Sequence, residues 1–391
     1  VTRRALPLTL LLGSMIAGHS LSSPSPARAA QPSDNPILSV WLGTSSAKPS
    51  KGIYHCTLNT ENGQLSDPEL AAEIRGPGFL AMHPNGSVLY AVGSVAGEAS
   101  VAAYKIDGEG KDAKLTLLNA VPIGDGGAAH VAIDSQGKML LTAQYGSGST
   151  AAFSLNADGS IKQRTSLQKH EGASRVVKGR QEAPHAHWAG FSPDERFAFV
   201  PDLGLDKVMI FKVDTNTATI EPHGFGQAPM GGGPRHMKFH PNGQWIYLLN
   251  ELDLSVTMFD YDAKQGTMTP KQTIPTVAKS ELAKERFTSA SEIRVHPNGK
   301  FVYSANRGHD TITAFKVDPQ NGELAVIERE FIRGATPRNF NLDPSGQWLL
   351  AAGQLSHTLA SFAVNQETGE LMFNQHVVFA PSPICVLMQH E

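Results

Sequence analysis

The chain has 391 residues, 40% of them hydrophobic and 18% charged, with 37 Gly and 25 Pro. A formal charge of -3 without any basic stripe interleaved with aromatics excludes a nucleic-acid footprint. Past the N-terminus, no apolar run is long enough to cross a bilayer.

In chain order the first element is a leader. Arg3 and Arg4 give a positive start, Ala5 to Gly18 is apolar, and Ala27-Arg28-Ala29 is a small-residue cleavage signature. This predicts a signal peptide over residues 1–29, a linker over 30–36 and one folded domain over 37–391, exported to the periplasm or secreted. The paired arginines fit either general or twin-arginine export.

From there the chain repeats one pattern, a short apolar strand, a Pro-Asn-Gly-type turn and a second apolar strand. The turns fall at Pro84, Ser135, Pro193, Pro241, Pro297 and Pro344, 47 to 58 residues apart. That period suits four-stranded propeller blades, here called a to d from the axis outward. Pro fixes one backbone angle, and Asn-Gly is expected to supply the positive angles of a tight hairpin. A third alternating strand follows each hairpin, as in Val208 to Val213 and Thr311 to Val317. A turn such as Asp318 to Gly322 or Asn365 to Gly369 then leads to a more polar fourth strand.

Six turns make six complete a–b pairs. Ile37 to Gly43 reads as a strand b lacking its a, and Pro383 to Gln389 as a strand a lacking its b. Pairing them closes a seven-bladed, all-β ring and removes exposed sheet edges. It also places Cys56 and Cys385 two strands apart, about 9–10 Å, beyond disulfide reach. Two free thiols are expected.

The start of strand a and the end of strand b meet at one end of each blade, where unusual polar residues gather. At strand a starts stand His185 and His187, Arg235 and His236, Glu292 and Arg294, and Arg338 and Asn339. At strand b ends stand Gln144 and Tyr145, Asp202, Asn250 and Glu251, and Asn306, Arg307 and His309. Innermost strands line the channel, so these groups should converge on one mouth. Two long connections feed the same end: Leu167 to Pro184, and Pro270 to Ser289 with a charged helical stretch from Lys279 to Arg286.

Arg235, Arg307 and Arg338 suit a carboxylate, a phosphate or a developing oxyanion. Glu251 and His187 are the candidate bases for activating water. Plainer roles compete for some of these residues. Asp202 can cap a turn, Arg294 and Arg338 can bridge blades, and His83, His240 and His296 sit in hairpins at the far end. With no His-Glu-x-x-His, cysteine cluster or spaced carboxylate loop, no metal or cofactor is expected. No Gly-x-Ser-x-Gly elbow supports a serine nucleophile.

Seven segments in order resemble the lactonase family of seven-bladed propellers, which includes propeller-type 6-phosphogluconolactonases and a carboxy-muconate cyclase. They are Pro184-His185-Ala186-His187, Val200 to Gly204, Gly233-Pro234-Arg235-His236, Asn250-Glu251-Leu252, Ser291 to Arg294, Asn306 to His309 and Thr336 to Asn339. The resemblance implies a catalytic set of His187, Arg235, Glu251 and Arg307. His185, Asp202, His236, Glu292, Arg294, Asn306, His309, Arg338, Gln144 and Tyr145 are expected to contact substrate. Blade three departs from the pattern with Gln144 before Tyr145-Gly146, and blade two lacks a polar group at Gly93-Ser94. The expected partner is a small anionic or sugar-like lactone, and the chain is expected to be monomeric, with no nucleic acid and no membrane association once the leader is removed. Hydrolysis of an aldonic lactone leads; a lactonising cyclase on the same residues and a non-catalytic exported binding propeller are the alternatives.

Overall fold

A computed structural model describes residues 1–2 and 36–390. The predicted signal peptide beyond its first two residues and nearly all of the linker therefore lie outside the described residues. Seven sheets of four antiparallel strands surround a central channel. The first blade joins the two ends of the chain. Its strand a (Pro383–His390) pairs with strand b (Ile37–Thr44), followed by c (Gly52–Asn59) and d (Glu69–Glu73). The predicted closure is thus observed. Cys56 lies opposite Val40 and Cys385 opposite Gly43, so the two cysteines flank strand b from either side, free and buried.

The core is divided into wedges between neighbouring blades. Tyr247, Leu249 and Met258 of blade five, for example, pack with Ile293, Val302 and Phe315 of blade six. Both faces of the middle strands are covered this way. Strand b of blade three, Met139–Gln144, is therefore buried at every position, while the outermost Lys114–Pro122 of blade two is largely exposed. Tyrosines on strand b tie blade to blade. The hydroxyls of Tyr90, Tyr247 and Tyr303 donate to the carbonyls of Gly159, Gly322 and Gly369 in the next blade.

The a–b hairpins differ from expectation in one respect. In the three Pro-Asn-Gly hairpins only the glycine is left-handed, at φ 75° for Gly86, 70° for Gly243 and 73° for Gly299. The asparagine instead uses its side chain: Oδ1 of Asn85, Asn242 and Asn298 accepts the amide of the residue two further on, at 2.8–3.0 Å. Asn caps the turn because a short amide reaches its own downstream backbone without leaving the right-handed region. The hairpin histidines clasp blades together. His240 and His296 donate from Nε2 to the carbonyls of Gly299 and Gly346, at 2.8 and 2.9 Å.

Two connections are shorter than expected. Strand d of blade three runs to Lys169 and strand d of blade five to Pro275. Of the charged stretch, only Lys279–Leu282 is helical. No helix among the described residues is long and apolar enough to cross a membrane.

Candidate active site

Near its start, each strand a carries at least one residue more than the strand b beside it. In blade five Pro234 pairs with Asn250 and His236 with Leu249, leaving Arg235 as a bulge. Arg338 is the extra residue in blade seven, Ala129 in blade three and Ile384 in blade one. Blade four does the same around His187, between the pairs Ala186–Asp202 and Gly190–Phe199. A bulge bends the strand and re-aims its side chain. The result is a ring of unpaired residues at one height on the channel wall, bordering a cavity of about 140 Å³ lined by His187, Arg235, His236, Arg338, Asn339 and Phe79.

Glu251 follows strand b of blade five and stands beside this cavity. Its Oε1 meets Arg180 at 2.6 Å, and its Oε2 meets Arg235 at 2.9 Å and Arg307 at 3.3 Å. Burial alone would push this carboxyl up. Arg307 and Arg235 overcome that and, with His187 and Arg180, hold it far below the ordinary carboxylate range. Arg307 is itself fixed by Ser289, through the Oγ, and by the Ala290 carbonyl. Burial pushes Arg235 down to about 9 and Arg338 down to about 10, with Arg307 adding to both shifts. Both keep their charge at neutral pH. Arg338 makes no hydrogen bond or ion pair with any described residue. Three guanidinium groups thus share one carboxylate while a fourth, Arg338, stands by without one, and the surplus positive charge suits an anion.

Of the buried polar atoms without a partner among the described residues, three belong to this site: Nδ1 of His187, Nε2 of His236 and one terminal nitrogen of Arg235. All three residues line the same cavity. Buried polar groups are nearly always paired, so three orphans around one small space mark where a polar ligand belongs. Burial, then Arg235, holds both imidazoles well below their ordinary value, so both are neutral.

The structure brings together only part of the expected contact set. Tyr145 closes the cluster: its ring lies edge-on to His187 at 5.3 Å and stacks on His185 at 4.5 Å. His185 is held by the Tyr145 carbonyl at 2.9 Å. Asp202 instead accepts the amides of His185, Gly204 and Leu205 and the ring of His170, so its oxygens are consumed in shaping a turn. Gln144 and Asn306 point into their own blades. Gln144 bonds Thr142 and Ser149, and Asn306 bonds Thr276, Thr311 and Thr313. Arg294 reaches the Glu292 carboxylate at 3.6 Å and the Phe340 carbonyl at 3.4 Å, bridging blades six and seven. His309 bonds Thr311 and stacks on Phe331, outside the cluster. Glu292 does not line the cavity but is bonded to His236 and Asn339, which do.

Arg180 is a member that the sequence reading missed. It comes from the connection before blade four and also reaches the Tyr145 hydroxyl, at 3.4 Å. That connection is one of the two long ones feeding this end, and a basic residue within it is the signal the sequence offers. Among the described residues, no three His, Cys, Asp or Glu gather as a metal site.

Comparison with known proteins places this geometry in context. The family described as "Lactonase, 7-bladed beta-propeller" matches residues 39–388. The chain is 36% identical over 354 residues to a 6-phosphogluconolactonase of Bacillus subtilis, covering 90% of this chain and 98% of that protein. A 6-phosphogluconolactonase of Formosa agariphila is 34% identical over 303 residues, covering 76% and 83% of the two chains. The periplasmic gluconolactonase of Pseudomonas aeruginosa superposes with a TM-score of 0.83 at 26% identity, over 90% of this chain and 99% of that one.

Proposed function

Because the chain belongs to the seven-bladed β-propeller lactonase family, we propose that the cavity at the bulge ring hydrolyses a sugar lactone carrying an anionic group. The observation that carries this reading is the guanidinium surplus beside the unpartnered atoms of His187, His236 and Arg235. Hydrolysis needs a donor for the carbonyl oxygen as it becomes an oxyanion, and the unpaired Arg235 nitrogen supplies it. It also needs a base for the attacking water. Glu251 is a poor one, because taking a proton would leave three guanidiniums without their counter-charge. Its role is to hold Arg180, Arg235 and Arg307 in place, and an imidazole is left to take the proton. Arg338, unpaired among the described residues, would grip the anionic group. The leader-like N-terminus and the likeness to a periplasmic gluconolactonase support action outside the cytoplasm.

The test is turnover of gluconolactone, its 6-phosphate, galactonolactone and a muconolactone by the purified protein, corrected for spontaneous hydrolysis. Acceleration of at least one sugar lactone, lost in Arg235→Ala while the fold persists, is the expected result. A flat response across the panel overturns the reading. Turnover confined to the muconolactone moves it to cyclase chemistry.

A further inference from the structure

We propose that His236, held by Glu292, is the base that takes the proton from the attacking water. The proposal rests on the lactonase reading above. His236 Nδ1 lies 3.1 Å from Oε1 of Glu292, a fully buried carboxylate on the bulged start of blade six. That carboxylate is tied down on every side. Oε1 also accepts the Ile293 amide at 3.0 Å, and Oε2 accepts Asn339 Nδ2 at 2.5 Å.

An ionised carboxylate can only accept, so the imidazole proton sits on Nδ1. Nε2 is then a bare lone pair, and it is this atom that is buried without a partner in the cavity wall. The ring plane is fixed by edge contacts with His187 at 5.2 Å, His130 at 5.7 Å and Phe79 at 6.0 Å.

His187 faces the same cavity without any of this. Neither ring nitrogen bonds a described residue, so no hydrogen bond sets its tautomer, and Glu251, which favours a charge on it, is already held by three arginines. A base oriented by a third group is the arrangement that repeatedly activates nucleophiles. The charged groups facing His236 are Arg235, Lys238, Arg294 and Arg338, which disfavour its protonation, and Glu292, whose Oε1 is bonded to its ring.

The proton bookkeeping closes. Water oxygen bonds the lactone carbonyl carbon while its proton passes to His236 Nε2, and the carbonyl oxygen takes the negative charge beside Arg235. The ring carbon–oxygen bond then breaks, the carbonyl reforms, and the departing ring oxygen takes the proton back from Nε2. The acid product releases its own proton to solvent.

The experiment compares Glu292→Gln, His236→Asn and His187→Gln with the full-length wild type on the best lactone of the panel. Glu292→Gln is expected to lower kcat about a hundredfold or more with KM nearly unchanged. Its acid limb in the kcat–pH profile moves to lower pH, because the imidazolium loses its counter-charge. His236→Asn falls as far, and combining it with Glu292→Gln costs little more, as for two residues acting as one unit. His187→Gln raises KM and keeps the limb in place. Nitrogen NMR of the imidazoles reads the Nδ1–H tautomer of His236 in wild type independently of activity. An active wild type whose Glu292→Gln keeps its turnover and limb overturns the dyad alone. Loss of the limb in His187→Gln instead assigns the base to His187. A wild type inactive on every lactone overturns both the dyad and the reading beneath it.

Discussion

Removal of Arg338 isolates substrate binding from folding more cleanly than any other change in the site. Its guanidinium has no partner among the described residues, and Arg307 repels it. Arg338→Ala should therefore leave the melting temperature unchanged or slightly raised. For an anionic lactone, KM should rise about ten- to a hundredfold, the loss of one buried charged contact. Parallel melting and steady-state kinetics check this; a lower melting temperature with unchanged KM would make Arg338 structural. The buried imidazoles set a second expectation. His130, His187 and His236 are all held well below 6.5 in the fold, desolvation being the largest cause for each. The unfolded chain takes up these protons as pH falls below about 6.5, while the folded one does not. Stability should thus rise with pH through that window and fall on acidification from pH 7 to 5, before carboxylates titrate. Melting curves at fixed ionic strength test it, and a flat profile from pH 7 to 5 contradicts it.

Strand by strand, the repeat was readable because each a–b hairpin carries its own turn chemistry. The positions of Arg235, Glu251 and Arg307 followed from where strands begin and end. The direction of neighbouring side chains did not. Gln144, Asn250 and Asn306 end their strands as legibly as Glu251 follows one, yet their amides face into the blade and bond threonines and serines. In a strand, a shift of one residue turns a side chain to the opposite face, and only the paired register reveals which side is taken. Arg180 was hidden for another reason, since its connection has no counterpart in other blades to align it. The hairpin clasp gives a test at this scale. His240→Ala removes the bond to the Gly299 carbonyl and the ring contact with Trp245 at 4.9 Å. It should cost about 1–2 kcal/mol of stability without altering KM, because this turn lies at the end away from Glu251. Chemical denaturation and kinetics on one preparation check both halves.

At the scale of the whole ring, the core depends on each blade touching two neighbours. Blade one is the exception in construction, since its inner strand arrives from the far end of the chain. Truncation before Pro383 would expose strand Ile37–Thr44 along its full edge. Such a truncated chain should lose its cooperative transition or pair with a second copy, and gel filtration with circular dichroism would distinguish these from an intact monomeric ring. The bulges have a wider consequence. Around the channel, the same irregularity presents His187, Arg235, Arg338, Ala129 and Ile384, residues as unlike as side chains can be, from closely similar backbone. A residue excused from the ladder can change its chemistry while the strands on either side keep their pairing. The ring therefore behaves as a set of sockets of one gauge, and a new specificity can be written into it one socket at a time while the scaffold stays as it is.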